Sequence, residues 1–167
     1  MADLRLAGVP DAERLGRQFA AGVEVYTEFA PPGWSLPSAA GEAEHLRELL
    51  ADERVWCLVA EDDGRVVGQV TILPAAIAAR PQEDPGLAHL RNLIVDRAHW
   101  GTGLARELHG AAVEATRGRG CREIRLFTPA AHGRARRFYE REGWVPAGGE
   151  FHDPAPDLVL IEYRLGL

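Results

Sequence analysis

A chain of 167 residues, 46% hydrophobic and 26% charged, is long enough for a sizeable core and too ordinary for wholesale disorder or a disulfide-stapled miniprotein. No apolar run reaches the roughly 18–20 residues of a membrane span, and Met1-Ala2-Asp3-Leu4-Arg5 lacks a signal peptide's charged-then-apolar layout, so a cytoplasmic chain without a membrane partner is expected. A formal charge of −6 argues against general nucleic-acid affinity, because phosphate binding needs a basic face.

Leu4 to Leu6 reads as a short first strand. From Asp11, the stripe Leu15, Phe19, Val23 and Tyr26 marks an amphipathic helix, broken at Pro31-Pro32-Gly33. A second helix, about Ala39 to Leu50, packs through Leu46, Leu49 and Leu50. Val55 to Glu61 and Val66 to Leu73 are strands joined by a hairpin whose Asp63-Gly64 supplies the positive φ values that such turns require. Pro74 to Pro85 is expected as a surface excursion. Ala88 to Val95 is a buried strand, and a helix with the stripe Leu104, Leu108, Ala111, Ala112 and Ala115 follows and ends near Gly118 and Gly120. Glu123 to Thr128 is a strand; His132 to Glu142 is a short helix, with Gly143 as its left-handed terminator. Two final strands, about Trp144 to Gly148 and Asp157 to Leu165, close the chain. This order calls for a single α/β domain over residues 1–167, with helices on both faces of a mixed sheet and a right-handed crossover from Ala88 to Thr128. Cys57 and Cys121 form no paired motif and are expected as two buried thiols in a reducing compartment.

Trp100-Gly101-Thr102-Gly103-Leu104-Ala105 follows a strand and opens a helix. The first helical N–H groups have no internal partner, and the macrodipole adds partial positive charge, so this turn suits a phosphate or diphosphate. The plainer reading is that the two glycines only permit a tight turn. A P-loop is excluded because all 19 basic residues are Arg and the motif needs Lys. A dinucleotide fingerprint fits poorly. Arg106 stands where a third small residue belongs, and Glu123 lies at the wrong end of its strand for a ribose.

Two segments together resemble the GNAT superfamily of N-acetyltransferases: the glycine turn at Trp100–Ala105, preceded by Leu93-Ile94-Val95, and His132-Gly133-Arg134-Ala135-Arg136-Arg137-Phe138-Tyr139-Glu140-Arg141-Glu142-Gly143-Trp144. The resemblance implies a GNAT-like, mostly antiparallel sheet of about seven strands, four flanking helices and a splayed parallel strand pair. It implies acetyl-CoA as cofactor, with the diphosphate on the amides of Gly101, Thr102, Gly103, Leu104 and Ala105 and the pantetheine arm along Leu93, Ile94 and Val95. Arg106, Arg134 and Arg137 are candidates for its phosphates. Trp100 replaces the family's Arg or Gln, and His132 replaces its Asn.

The resemblance further implies direct acetyl transfer to an amine of a small molecule or protein, with Tyr139 as general acid. Its alternative role is a core residue of the last helix. His89, six residues before Val95 on a face shared with Arg91 and Leu93 by strand alternation, stands where some members carry a base. His152, Asp153 and Glu28 are rivals, and His89 also fits a satisfied structural histidine. Tyr26, Glu28, Phe29, Trp34 and His152 are expected to wall the acceptor. No metal is expected, and a homodimer is allowed by the resemblance. Two other classes stay open: a non-catalytic acyl-CoA sensor, and a structural α/β protein with an empty turn.

Overall fold

A computed structural model describes residues 1–167. Eight strands form one sheet: β1 (Asp3–Leu6), β2 (Trp56–Asp62), β3 (Arg65–Pro74), β4 (Leu87–Val95), β5 (Glu123–Pro129), β6 (Val145–Pro146), β7 (Phe151–Asp153) and β8 (Leu158–Gly166). Their order is β1-β2-β3-β4-β5-β8-β6, and β7 adds to β8 through Phe151 opposite Leu160. All pairs are antiparallel except β4–β5. The sequence places one strand fewer, because Phe151–Asp153 is too short for a periodic signal.

Helices α1 (Ala12–Gly22) and α2 (Ala39–Leu50) cover one face; α3 (Leu104–Gly118) and α4 (Gly133–Arg141) cover the other. Ser38 caps α2, its hydroxyl accepting from the Gly41 amide at 2.9 Å. The larger core lies beneath α3 and α4, where Leu108, Ile124, Leu126 and Tyr163 are almost wholly buried. Leu15 and Leu46 pack with Cys57 and Val59 on the other face. At the end of α4, Gly143 takes φ +91°, and the Trp144 amide returns to the Tyr139 carbonyl at 3.0 Å, as the terminator predicted.

Four local expectations need correction. The first helix does not stay α-helical to Tyr26; it tightens into a 3-10 segment over Val23–Glu28. A Cβ on Gly22 would sit 2.1 Å from Ile94 Cγ2, so only glycine lets α1 end directly on β4. The Pro74–Pro85 excursion is not purely superficial, since Ala75 and Ala78 are buried. Cys57 is buried, its thiol pushed up to about 11 by desolvation, whereas Cys121 is only half-buried.

The fourth correction concerns β4. Gln69 pairs with Ile94 and Thr71 with Arg91, so Asn92 and Leu93 together face Val70. This bulge puts Asn92 at φ +56° and reverses the alternation. Upstream, Ala88 and Leu90 point into the core under α3; downstream, Leu93 and Val95 do. His89 and Arg91 therefore do not share a face with Leu93 and Val95.

Candidate functional site

The parallel pair β4–β5 is in register only over Leu87–His89 and Glu123–Arg125. Beyond it the strands part, and a cavity of about 620 Å³ opens between them, within the range of small-molecule sites. Leu93, Ile94 and Val95 line one wall; Phe127 and Thr128 line the other.

The glycine turn forms one end. Gly101 and Gly103 adopt φ +79° and +93°, and a Cβ on either would meet nothing within 4 Å. Their conformation, not crowding, requires glycine. The backbone amides of Gly101, Gly103, Ala105 and Arg106 make no hydrogen bond within the protein. Thr102 turns its hydroxyl to the His99 carbonyl at 2.7 Å and does not line the cavity, and the Leu104 side chain packs into the core. Trp100 has another use for its ring: Nε1 donates to the Val95 carbonyl at 2.9 Å, tying the end of β4 to the turn. The Arg134 guanidinium stacks on that ring at 4.0 Å, and both line the cavity. Arg106 and Arg137 also line it, with Arg106 3.5 Å from Glu142.

Tyr139 enters from α4. The residue is only 8% exposed, packed against Phe138 and Trp144, and its hydroxyl has no protein partner although it is not sealed from the cavity. Burial holds its pKa above that of a free phenol. Tyr26 faces the same cavity, its phenol pushed up to about 12 by desolvation. His132 has its ring stacked on Phe29 at 5.1 Å and edge-on to Tyr26 at 5.5 Å; it makes no side-chain hydrogen bond. Trp34 extends this aromatic group, and its Nε1 donates to the Pro156 carbonyl at 2.7 Å, joining the α1–α2 connection to the β7–β8 turn.

His89 also lines the cavity. Its Nδ1 accepts from Arg125 Nε at 3.3 Å, and desolvation together with Arg125 and Arg91 lowers its pKa to about 3. An imidazole so held stays neutral and makes a poor base. The rivals lie elsewhere: Glu28 is exposed, 3.8 Å from Arg97, and His152 pairs with Asp157 at 2.9 Å on the exposed hairpin. Asp153 caps that turn through the Ala155 amide at 2.9 Å. Glu28, Phe29, Trp34 and His152 do not line the cavity directly.

Glu42, Asn92 and Arg125, none of them singled out from the sequence, shape the site. Glu42 on α2 accepts from Arg91 Nη2 and from the bulged Asn92 Nδ2, both at 2.8 Å, clamping β4 where it leaves β5. Arg125 is buried on β5. The available signal was an arginine inside an otherwise apolar strand, at Arg91 and again at Arg125. Glu42 gave none, since it reads as one more solvated charge on α2.

A family model described as the acetyltransferase (GNAT) family matches residues 22–144. No curated protein matches the sequence significantly. Among solved structures, a GNAT acetyltransferase from Staphylococcus aureus Mu50 superposes with a TM-score of 0.77 at 13% identity, covering 99% of either chain. A ribosomal-protein-alanine N-acetyltransferase from Brucella melitensis gives 0.73 at 22% identity, again with 99% of both chains covered. A PaiA N-acetyltransferase from Thermoplasma acidophilum, solved with coenzyme A, gives 0.73 at 16% identity over 97% of this chain and 98% of that one. With the sheet, the parted strands and the open glycine turn in place, the match over most of its length means that this chain belongs to the GNAT acetyltransferase family, which uses acetyl-CoA.

Proposed function

We propose that the chain, working as one domain, is an acetyl-CoA-dependent N-acetyltransferase acting on a primary amine by direct attack in a ternary complex. The observation that carries this reading is the parted β4–β5 pair ending at four unclaimed amides, Gly101, Gly103, Ala105 and Arg106. Those donors, at the N-terminus of a 15-residue helix, suit a diphosphate, with Arg134 on the Trp100 ring beside them for further phosphate charge. The backbone of Leu93–Val95, freed from β5, suits the amide-bearing pantetheine arm. When bound, acetyl-CoA supplies an activated acyl thioester.

Tyr139 is the proton donor of this scheme. Burial keeps its hydroxyl protonated, and with no protein partner that O–H is free to donate to a sulfur gaining negative charge. The nitrogen that forms the amide loses one proton as the sulfur gains one, so the phenol can be restored without net proton uptake. His89 takes no proton in this scheme, and the amine must arrive as its free base.

The test mixes purified protein with acetyl-CoA and a panel of amines, following thermal shift and thiol release. Stabilisation together with amine-dependent thiol release is the expected result. Stabilisation without turnover across the panel would identify a sensor instead, and neither signal would leave a structural α/β protein.

A further inference from the structure

Resting on the acetyltransferase reading, we propose that the acceptor amine carries a carboxylate, which seats against His89 Nε2–H in the field of Arg125. Arg125 is 3% exposed, yet every group it touches is neutral. Nη2 donates to the carbonyls of Ala79 at 2.8 Å, Arg80 at 2.9 Å and Ala75 at 3.4 Å; Nε donates to His89, and the guanidinium lies 4.9 Å from the Phe127 ring centroid. No carboxylate comes within 4.0 Å. Glu162, its nearest acidic influence, is engaged by Arg164. Arg91, by contrast, already has Glu42 at 2.8 Å. A buried charge with no carboxylate in contact is costly: Arg125 meets a small surface pocket that it shares with Glu162, while toward the main cavity only His89, which lines that cavity, extends its hydrogen bonds.

His89 converts that charge into a directional contact. Because Arg125 Nε–H donates to Nδ1, the neutral ring carries its hydrogen on Nε2. The residue is 5% exposed, and Nε2 neither bonds to a protein group nor is sealed from the cavity. It is therefore a donor awaiting an oxygen. The rest of the cavity agrees in sign. Its sole lining carboxylate is Glu142, near Arg106 at 3.5 Å and His109 at 3.9 Å on the α3 side, while Glu28 stands outside on Arg97. A polycationic amine would find no anion beside His89; an amino-acid-like acceptor would complete the buried charge.

The experiment compares L-methionine, L-phenylalanine and 4-aminobutyrate with their carboxamides, and with spermidine, as acceptors for the full-length protein and acetyl-CoA. Rates are corrected for the free-base fraction of each amine. The expected result is a carboxylate preference of roughly 10- to 100-fold in kcat/KM, as for a hydrogen bond to a charged group. His89→Phe should erase this preference while CoA affinity by calorimetry is unchanged; His89→Gln, which keeps a donor, should retain part of it. Equal rates for acid and amide, a preference for spermidine, or a preference surviving His89→Phe would overturn the proposal. If CoA binds but no acceptor reacts, the same pairs are titrated into the CoA-loaded protein, and equal binding of acid and amide overturns it too. Absence of CoA binding would instead sink the acetyltransferase reading beneath it.

Discussion

The two ends of the cavity are built from different parts of the chain. At the α3 end, backbone does the work: amides with no internal partner, two glycines at positive φ, and a strand edge released by its neighbour. At the other end, side chains do it: His89 oriented by Arg125, Tyr139 with a free hydroxyl, and a bulge held by Glu42. A backbone-built site asks of Leu93–Val95 only side chains that pack, not particular functional groups, but it holds its glycines at positive φ, where another residue is strained. A side-chain-built site has the opposite sensitivities, and each substitution there changes what is recognised.

Four measurements separate these ends, beginning with the largest effect. Gly103→Glu places a side chain at φ +93°, costing about 1–3 kcal/mol of strain, and sets a carboxylate where an anion belongs, so CoA binding should vanish from calorimetry. Retained affinity would mean that the diphosphate sits elsewhere. Tyr139→Phe should lower kcat by about 100-fold or more, with the CoA Kd within about twofold. Unaltered turnover would leave Tyr139 as packing only.

Glu42→Ala would strand the Arg91 guanidinium and release Asn92, destabilising the fold by about 3–5 kcal/mol in urea titrations. Glu28→Ala, on the exposed pair with Arg97, should change stability by no more than about 0.5 kcal/mol. Comparable effects from the two would show that the clamp on the bulge is not a buried interaction.

The last effect is in pH. Burial and neighbouring arginines lower the pKa of His89 to about 3, whereas the unfolded chain protonates it near about 6.5. The unfolded state therefore binds more protons between those values. Stability from this residue is complete above pH 6.5 and falls on acidification by at most about 1.4 kcal/mol per pH unit, levelling off near pH 3. His45, His109 and His132, also lowered mainly by burial, act in the same direction. Replacing His89 with Phe should flatten its share of that slope in acid denaturation curves; an unchanged slope would mean that the imidazole is not held neutral.

The same division explains what was readable in advance. Glycine at Gly101, Gly103 and Gly143 marks positive φ, and periodic apolar stripes mark α2 and α3, so the fold and the glycine turn lay open in the sequence. The His89 end did not. Strand alternation assigns His89 and Val95 to one face, and only the extra residue at Asn92, a feature with no glycine to announce it, parts them. Pairings such as Glu42 with Asn92 or His89 with Arg125 join distant segments, and composition carries no trace of them. Trp100, standing where the family has Arg or Gln, gave no hint of its use, because a side chain's target, here the Val95 carbonyl, depends on the turn it sits in.

The bulge at Asn92 also separates two selective pressures along a single ribbon. Positions before it, His89 and Arg91, face away from the core under α3, while Leu93 and Val95 after it are set by a register that restarts. On the proposed reading, a change at His89 alters recognition without shifting the Leu93–Val95 register, whereas Arg91, held by Glu42, belongs to the clamp that keeps it. Deleting one residue at the bulge would couple the two again, turning the downstream side chains out of the core.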